Sequence, residues 1–464
     1  MKPGTQLAGR KVLVVGLARS GVAAAQYAVA VGAKVIAIDV KSAAELGDAA
    51  AELAALGVRL ELGSHGEQEF EEAELVVVSP GVPANLPGIT RARERGVPVW
   101  GEIELGWRAL RGRMIGITGS NGKTTTAALT GHILKTAGIP TLIGGNIGTP
   151  LISLAAESTD ATVTVAEISS FQLETIDAFH PDVVALLNLT PDHLDRHGSF
   201  EEYARMKMRM FENQTETDIA ILNADDAEVA ERAPARAEIC WFSRQKRVAE
   251  GAFVHDGQIL FRREGVEARI LKVEEIPLRG AHNVENVLAA SAAACVAGVD
   301  PGTVAAGVRS FAGVPHRLEF VRAAGGVEYY NDSKATNVDA TRKALEAFSG
   351  NVIVILGGKD KGSDYGTLAE LLRQRAKLVL LIGAAAEKIA SQIGGAVPVE
   401  FAGTVDRAVA IAAGRAKPGD TVLLAPACAS FDQFDNFEHR GRVFRERVMA
   451  LPAVTAPGAA AIRK

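Results

Sequence analysis

The sequence predicts an α/β protein of three domains in series, and three observations carry that expectation. Apolar runs of strand length alternate with helical patterns along most of the chain, as in parallel sheets covered by helices. Two glycine-rich turns, "VVGLARSG" and "GITGSNGKTTT", each follow an apolar run and open a helix. At 464 residues the chain also exceeds what one hydrophobic core serves, and its length suggests roughly three domains.

Residues 11–38 read as β-α-β: "KVLVVG", a glycine-bounded turn, an alanine-rich helix, then "AKVIAID". "ELVVVSPGVP" adds a strand ending in a Pro/Gly turn, and this first, Rossmann-like domain is expected to span 1–102. The second, 103–311, opens on the short strand "MIGI" and continues through "ATVTVAE", "VVALLNL" and "DIAILNADD". Short alternating runs over 238–278 predict a small antiparallel sheet there. The alanine-rich "NVENVLAASAAACVAG" predicts a long closing helix. In the third, 312–464, the buried-type runs "NVIVILGG", "KLVLLIG" and "TVLLAPA" again predict a parallel, Rossmann-like sheet. The C-terminal "PAVTAPGAAAIRK" reads as a tail with no assigned role.

Composition narrows the function classes. Hydrophobic residues make up 48% of the chain and charged ones 23%, the balance of a soluble globular protein. A net charge of −5 argues against a nucleic-acid partner, which needs a basic excess to neutralise phosphates. No apolar run approaches the ~20 residues that span a bilayer, so no membrane insertion is expected. "VLVVGLA" is short and cut by Arg19, so it reads as a strand rather than a secretory signal. Cys240, Cys295 and Cys428 are far apart and odd in number, which points to a reducing cytoplasm.

The first glycine turn imitates a dinucleotide fingerprint, with Gly16, Gly21 and Asp39 in place, but Ala18 replaces the middle glycine. A Cβ there obstructs close approach of a pyrophosphate, so a redox cofactor is disfavoured. A turn for another nucleotide-like ligand and a turn with no ligand both stay open. The second turn is the stronger signal. It departs from the strict G-x-x-x-x-G-K-[ST] pattern, since Ile117 stands where the first glycine belongs. Gly119, Ser120, Asn121, Gly122, Lys123, Thr124 and Thr125 nevertheless lie between a strand and a helix. There backbone N–H groups face phosphates, Lys123 reaches the terminal ones, and Thr124 can ligate Mg²⁺. Glu167, closing "TVTVAE", is placed as a second metal ligand or as a cap of the "SSFQLE" segment, and spacing alone does not choose. His193 and His197 are four apart, yet Gly198 follows at once and no third ligand completes a zinc site. A loop histidine beside metal-bound phosphates is the better reading. Lys207, in "EEYARMKMRMF", reads from its own helix as a solvated charge.

Several stretches taken together resemble one family. "TGSNGKTTT", "GGNIG", "AEISSFQLE", "NLTPDHLDRHGSFEEYARMK", "GAHNVENVLAA", "GVPHRLEF", "NDSKATN", "LGGKDKGSDY" and "PACASFDQFDNFEHRG" occur in the order found in the Mur ligases, across essentially the whole chain. The last four resemble the D-glutamate-adding members. The resemblance implies domains that hold a UDP-sugar precursor, ATP and the incoming amino acid in turn. It places Leu17, Ala18, Arg19, Ser20, Asp39, Ser79, Pro80 and Gly81 along the UDP pocket, with Asn146, Ser169 and Gln172 toward the muramoyl-alanine end. Thr124 and Glu167 would hold one Mg²⁺, and His193 would help hold a second. Lys207 matches a lysine that the family carbamylates. A neutral amine can capture CO₂ and become an anionic oxygen ligand, whereas an ammonium with a pKa near ~10.4 cannot sit against cations. Asn283, Asn286, Arg317, Asp332 and Lys334 would contact ATP across a domain boundary, with domain closure assembling the site. Thr336, Lys361, Ser430 and Phe437 would receive D-glutamate, with Asp192 near its amine. Lys361 also reads as a basic surface loop, and Ser430 as a helix cap.

The implied reaction is ATP-dependent formation of an acyl phosphate on UDP-N-acetylmuramoyl-L-alanine, helped by Lys123 and Lys334, followed by attack of the D-glutamate amine. His193 would receive the amine proton. A monomer is expected. Sister ligases for L-alanine, a diamino acid or a dipeptide, and folylpolyglutamate synthase, are the nearest alternatives. The chain has no Asp-Asn-Pro-Arg segment of the diamino-acid type. A non-catalytic nucleotide switch is the alternative of another class, and a nicotinamide dehydrogenase fits less well because of Ala18.

Overall fold

The computed structural model describes residues 6–64, 67–234 and 236–452. The C-terminal tail read from the sequence lies, from residue 453 on, outside the described residues. The chain divides into two compact units: up to Pro277 together with His282–Phe311, and Leu278–Ala281 together with Ala312 onward.

The first unit holds two sheets. Strands β1 (Lys11–Val15), β2 (Lys34–Asp39), β3 (Arg59–Leu62), β4 (Leu75–Val78) and β5 (Val99–Gly101) form a parallel sheet in the order 3-2-1-4-5. "VLVV" and "LVVV" are buried along their whole length because helices cover both faces, so no polar alternation survives.

The second sheet has nine strands: β6 (Arg113–Thr118), β7 (Thr141–Gly145), β8 (Val163–Glu167), β9 (Val183–Leu186), β10 (Ile219–Asn223), β11 (Glu238–Ser243), β12 (Gly251–His255), β13 (Gln258–Arg263) and β14 (Val266–Lys272). Their order is 14-13-12-11-10-9-6-8-7. Pairing is parallel from β7 to β12 and antiparallel only for β12–β13–β14. The antiparallel part expected over 238–278 is therefore a continuation of the parallel sheet, and β11 belongs to the parallel run.

One helix, Glu102–Ala109, serves both sheets. Its Leu105 joins the core of the first sheet with Trp100 and Ile152, while Ile103 and Trp107 join the core of the second. Gly106 sits where a Cβ would come 2.8 Å from the Cβ of Leu151, so the helix packs closely on the segment Leu151–Glu157. Glu104, fully buried, accepts hydrogen bonds from the N–H groups of Asp177, Ala178 and Phe179 and from Arg108 Nε at 2.6 Å.

The second unit holds a six-stranded sheet. Strands β15 (Glu319–Ala324), β16 (Val327–Asn331), β17 (Val352–Gly357), β18 (Ala376–Ile382), β19 (Val399–Gly403) and β20 (Thr421–Leu424) lie in the order 15-16-20-17-18-19. All pairs are parallel except β15–β16. "VIVILG" is buried throughout, and the final helix, Phe437–Met449, covers one face with Phe444 and Val448.

Candidate functional site

In parallel sheets ligands gather outside the carboxyl ends of the strands. The carboxyl ends of β9, β6, β8 and β7, four neighbours in one parallel run, launch the segments 187–193, 119–123, 167–169 and 145–148. Gly119–Lys123, Asn146, Glu167, Ser169, Asp192 and His193 sit in these segments, whereas Thr124, Thr125, Lys207, Asn283 and Asn286 come from helices.

The loop after β6 is held from two sides. Ser120 N donates to the Asn188 carbonyl at 3.0 Å, and Asn121 N donates to Asn188 Oδ1 at 2.8 Å. Ser120 Oγ donates to the Thr190 carbonyl and lies 2.9 Å from the Tyr203 hydroxyl. Gly122 has φ +85°, and a Cβ there would come 2.3 Å from Asn286 Oδ1, so glycine is required twice over. Asn286 lies on the helix Ala281–Val296, donates to Asn283 Oδ1 at 2.9 Å and accepts from Thr126 Oγ1. Lys123 opens the helix Lys123–Thr136, with Thr124 and Thr125 in its first turn, and its Nζ donates to the Gly119 and Ser120 carbonyls at 2.8 and 2.9 Å. The N-terminus of that helix therefore faces outward from a preformed loop, as an anion site needs.

Glu167 is 3% exposed at the end of β8, and its Oε1 accepts from Asn146 Nδ2 at 3.0 Å. The cap of the following helix is Ser169, which forms a reciprocal capping box with Gln172, so the capping alternative for Glu167 falls away. Lys207 is the larger departure from the local reading. It is 1% exposed rather than solvated, its Nζ donates to the Gly119 carbonyl at 2.9 Å, and it lies 4.8 Å from the centre of the Tyr203 ring. Burial, with Lys123 nearby, lowers its pKa well below the ordinary lysine value. Its helix, Phe200–Met208, turns this face inward because Tyr203 and Lys207, four residues apart, share it.

His193 is exposed, adopts φ +50° and precedes a single helical turn, Leu194–His197. Its N–H donates to Asp192 Oδ1, and its ring lies 4.8 Å from that of Phe171. His197 is drawn away: its Nε2 meets Ser170 Oγ at 3.0 Å and its ring stacks on Phe171. Among the described residues no group of three or more His, Cys, Asp or Glu side chains is placed to hold a metal ion. Thr124, in the first turn of the helix that follows β6, and Glu167, at the end of the adjacent β8, offer hard oxygen donors. That set fits Mg²⁺, which takes few protein ligands and completes its shell with phosphate oxygens and water.

The first sheet reverses strand order at β1, between β2 and β4, and the turns there brace one another. Leu17 N donates to Asp39 Oδ2 at 2.6 Å, and Ser79 Oγ donates to the Gly16 carbonyl at 2.7 Å. Gly21 is obligatory, since a Cβ would meet that carbonyl oxygen at 1.8 Å. Ala18, Arg19 and Gly81 are exposed, and Ser20 and Pro80 partly so. Arg19 donates to the Gly148 carbonyl and Arg196 to the Val82 carbonyl, joining these turns to the loops of the second sheet.

In the second unit, the neighbouring strands β16, β20 and β17 end on the same edge. Asp332, Lys334 and Thr336 follow β16, Ser430 and Phe437 follow β20, and Lys361 follows β17. Lys334 Nζ lies 3.9 Å from the centre of the Phe437 ring. Burial pushes the Asp332 carboxyl up to about 7, against the opposing pull of Arg317. Ser430 is buried, and its carbonyl accepts from Gln433 and Phe434 N–H in a turn rather than capping a helix. Lys361 is exposed. Arg440, 1% exposed, braces this edge with bonds to Ser333 Oγ, the Ser333 carbonyl and the Cys428 carbonyl. Asn188, Tyr203 and Arg440 are site-shaping residues that motif reading missed.

Three family descriptions match the chain: "Mur ligase MurD-like, N-terminal domain" at residues 10–101, "Mur ligase middle domain" at 117–294, and "Mur ligase, glutamate ligase domain" at 316–428. A protein of Acidobacterium capsulatum named UDP-N-acetylmuramoylalanine–D-glutamate ligase is 54% identical over 96% of this chain and 97% of its own length. A protein of the same name from Koribacter versatilis is 54% identical over 95% of this chain and 97% of its own. Among solved structures, UDP-N-acetylmuramate-alanine ligase MurC of Thermotoga maritima aligns with a TM-score of 0.59 at 20% identity, covering 95% of this chain and 99% of that one. MurF ligase of the same organism, solved in complex with ADP, gives 0.58 at 17%, covering 97% and 99%. These two likenesses speak for the fold.

Proposed function

The chain belongs to the Mur ligase family, and from that premise we propose that it joins D-glutamate to UDP-N-acetylmuramoyl-L-alanine, spending ATP and releasing ADP and phosphate. The observation that carries the reading is a preformed phosphate loop after β6, with Glu167 at the end of the adjacent β8 and the buried Lys207 donating to the Gly119 carbonyl. A carboxylate is inert to amines at neutral pH, so activation by phosphate is the step that needs such a loop.

The precursor occupies the turns of the first sheet, with Leu17–Ser20, Asp39 and Ser79–Gly81 at its UDP end and Asn146, Ser169 and Gln172 at its acyl end. Gly119–Thr125, Asn283 and Asn286 hold the nucleotide, and Arg317, Asp332 and Lys334 are the nucleotide contacts of the second unit. The acyl carboxylate attacks the γ-phosphorus while Lys123 and Lys334 neutralise charge, and ADP leaves. The D-glutamate amine then attacks the acyl carbon, a proton passes to His193, and phosphate departs. Thr336, Lys361, Ser430 and Phe437 hold the amino acid, with Asp192 near its amine. Thr124 and Glu167 would hold one Mg²⁺ and His193 would help hold a second; bound there, they would supply charge neutralisation and orientation of the phosphates. Lys207 is proposed to carry a carbamate, formed as its neutral amine bonds to CO₂ and loses a proton. Its near-complete burial supports this, since an ammonium is disfavoured there and an amine is not.

The reaction is proposed for the cytoplasm, by a monomer. The three cysteines are free, and no helix among the described residues is long and apolar enough to cross a membrane. Lys123→Ala tests the assignment of the loop. It is expected to abolish phosphate release while calorimetry still records precursor binding; undiminished release would remove Lys123 from the chemistry.

A further inference from the structure

Beside the amino-acid residues of the second unit lies a polar bridge built on a buried tyrosine, whose members have so far been given no role. Tyr365, fully buried, directs its hydroxyl to Asp360 Oδ1 at 2.8 Å, and Cys428 Sγ lies 3.0 Å from the Tyr365 hydroxyl oxygen. Lys388, on the helix Ala386–Ile393, donates to Asp360 Oδ2 at 2.7 Å and lies 5.5 Å from the Tyr365 ring centre. Tyr365 is itself pinned, because its N–H donates to Gln392 Oε1 at 2.8 Å. Ser363 N and the lysine–tyrosine pair thus converge on one carboxylate. Lys388 and the Tyr365 hydroxyl hold it ionised, at about 2.

The two ends of this bridge are next to the groups that would grip the substrate. Asp360 precedes Lys361 on the loop after β17, and Cys428 stands two residues before Ser430 on the loop after β20. The loops are already paired, since Lys359 N donates to the Ala429 carbonyl at 2.9 Å. Lys361 is exposed on a glycine-containing loop, where a long side chain has much freedom to lose on binding.

We propose that Tyr365, Asp360 and Lys388 are positioning residues for the amino acid. They hold the Lys361 loop against the Ser430 loop, so that an ammonium and a hydroxyl are preset for the side-chain carboxylate of D-glutamate. This rests on the reading of the second unit as the D-glutamate domain.

Tyr365→Phe removes the hydroxyl and keeps the ring; Lys388→Met frees Asp360, and Lys388→Arg restores a cationic donor. Steady-state kinetics in each substrate are expected to show KM for D-glutamate raised about five- to tenfold in Tyr365→Phe and Lys388→Met, since lost positioning appears as lost substrate binding. kcat and the other two KM values stay within about twofold, and Lys388→Arg recovers most of the loss. An unchanged KM for D-glutamate in both variants, or an equal fall in every parameter without rescue by Lys388→Arg, overturns the proposal. Wild-type protein that releases no phosphate with D-glutamate overturns the parent reading as well, which separates the two failures.

Discussion

Lys207 illustrates how a single residue changes meaning with its surroundings. Its ammonium, withdrawn from water and near Lys123, is disfavoured in the folded state, so the folded protein binds fewer protons there than the unfolded chain. Stability therefore rises with pH across the window from the lowered pKa to the ordinary lysine value. Lys207→Met keeps the volume and removes that penalty. It is expected to abolish ligation, leave the melting temperature equal or higher, and flatten its rise with pH. Activity retained in Lys207→Met would remove the carbamate from the chemistry. A short carboxylic acid is expected to restore part of the activity of Lys207→Ala by supplying the missing oxygens. Gly122→Ala places a Cβ against Asn286 at a positive φ; about tenfold weaker ATP binding is expected from ~1–2 kcal/mol of strain, read by calorimetry. The glycines and Lys123 were legible in the sequence because phosphate loops demand them locally. The buried setting of Lys207 was not, since a lysine amid "EEYARMKMRM" has the composition of a wet helix face. Tyr203 and Arg440 were invisible for a related reason: their partners, Ser120 and Ser333, are remote in the chain.

At the scale of elements, the strands with continuous apolar runs were legible, among them "VLVV", "VTVAE" and "VIVILG", because both faces are covered. Edge strands such as β3 and β19 were not, since half-exposed "RLEL" and "VEFAG" mix polar and apolar residues. The double role of the helix Glu102–Ala109 was equally hidden. Its sequence pattern does not say that Leu105 and Trp107 serve different cores. Glu102 gives that helix a test. Burial pushes its carboxyl up to about 7, although Ile152 N donates to it at 2.8 Å. Between the ordinary glutamate value and about 7 the folded state holds a proton that the unfolded chain has lost. Stability therefore falls as pH rises through that window, by an amount of order ~3 kcal/mol at most. Glu102→Gln keeps an acceptor for Ile152 and cannot ionise. Thermal unfolding between pH 4.5 and 8 is expected to lose this slope in the variant, and an unaltered slope would mean that another group titrates.

For the whole molecule, one rule of parallel sheets recurs in all three domains: most of the proposed substrate residues leave the carboxyl ends of neighbouring strands, with Asn283 and Asn286 added from a helix. The order of motifs made the three-domain series legible, because each glycine turn and each apolar run is a local signal. The extension of the central sheet by β12–β14 was less so, since strand alternation says nothing about which edge a meander joins. Lys123→Ala separates the domains functionally, with precursor binding expected to survive loss of phosphate transfer. The most direct measurement is phosphate release from ATP in the presence of UDP-N-acetylmuramoyl-L-alanine, with D-glutamate, L-glutamate, L-alanine or meso-diaminopimelate in separate reactions. Release stimulated by D-glutamate alone is expected. Stimulation by a different amino acid would contradict the assignment of the second unit, and release with none would contradict the ligase reading itself.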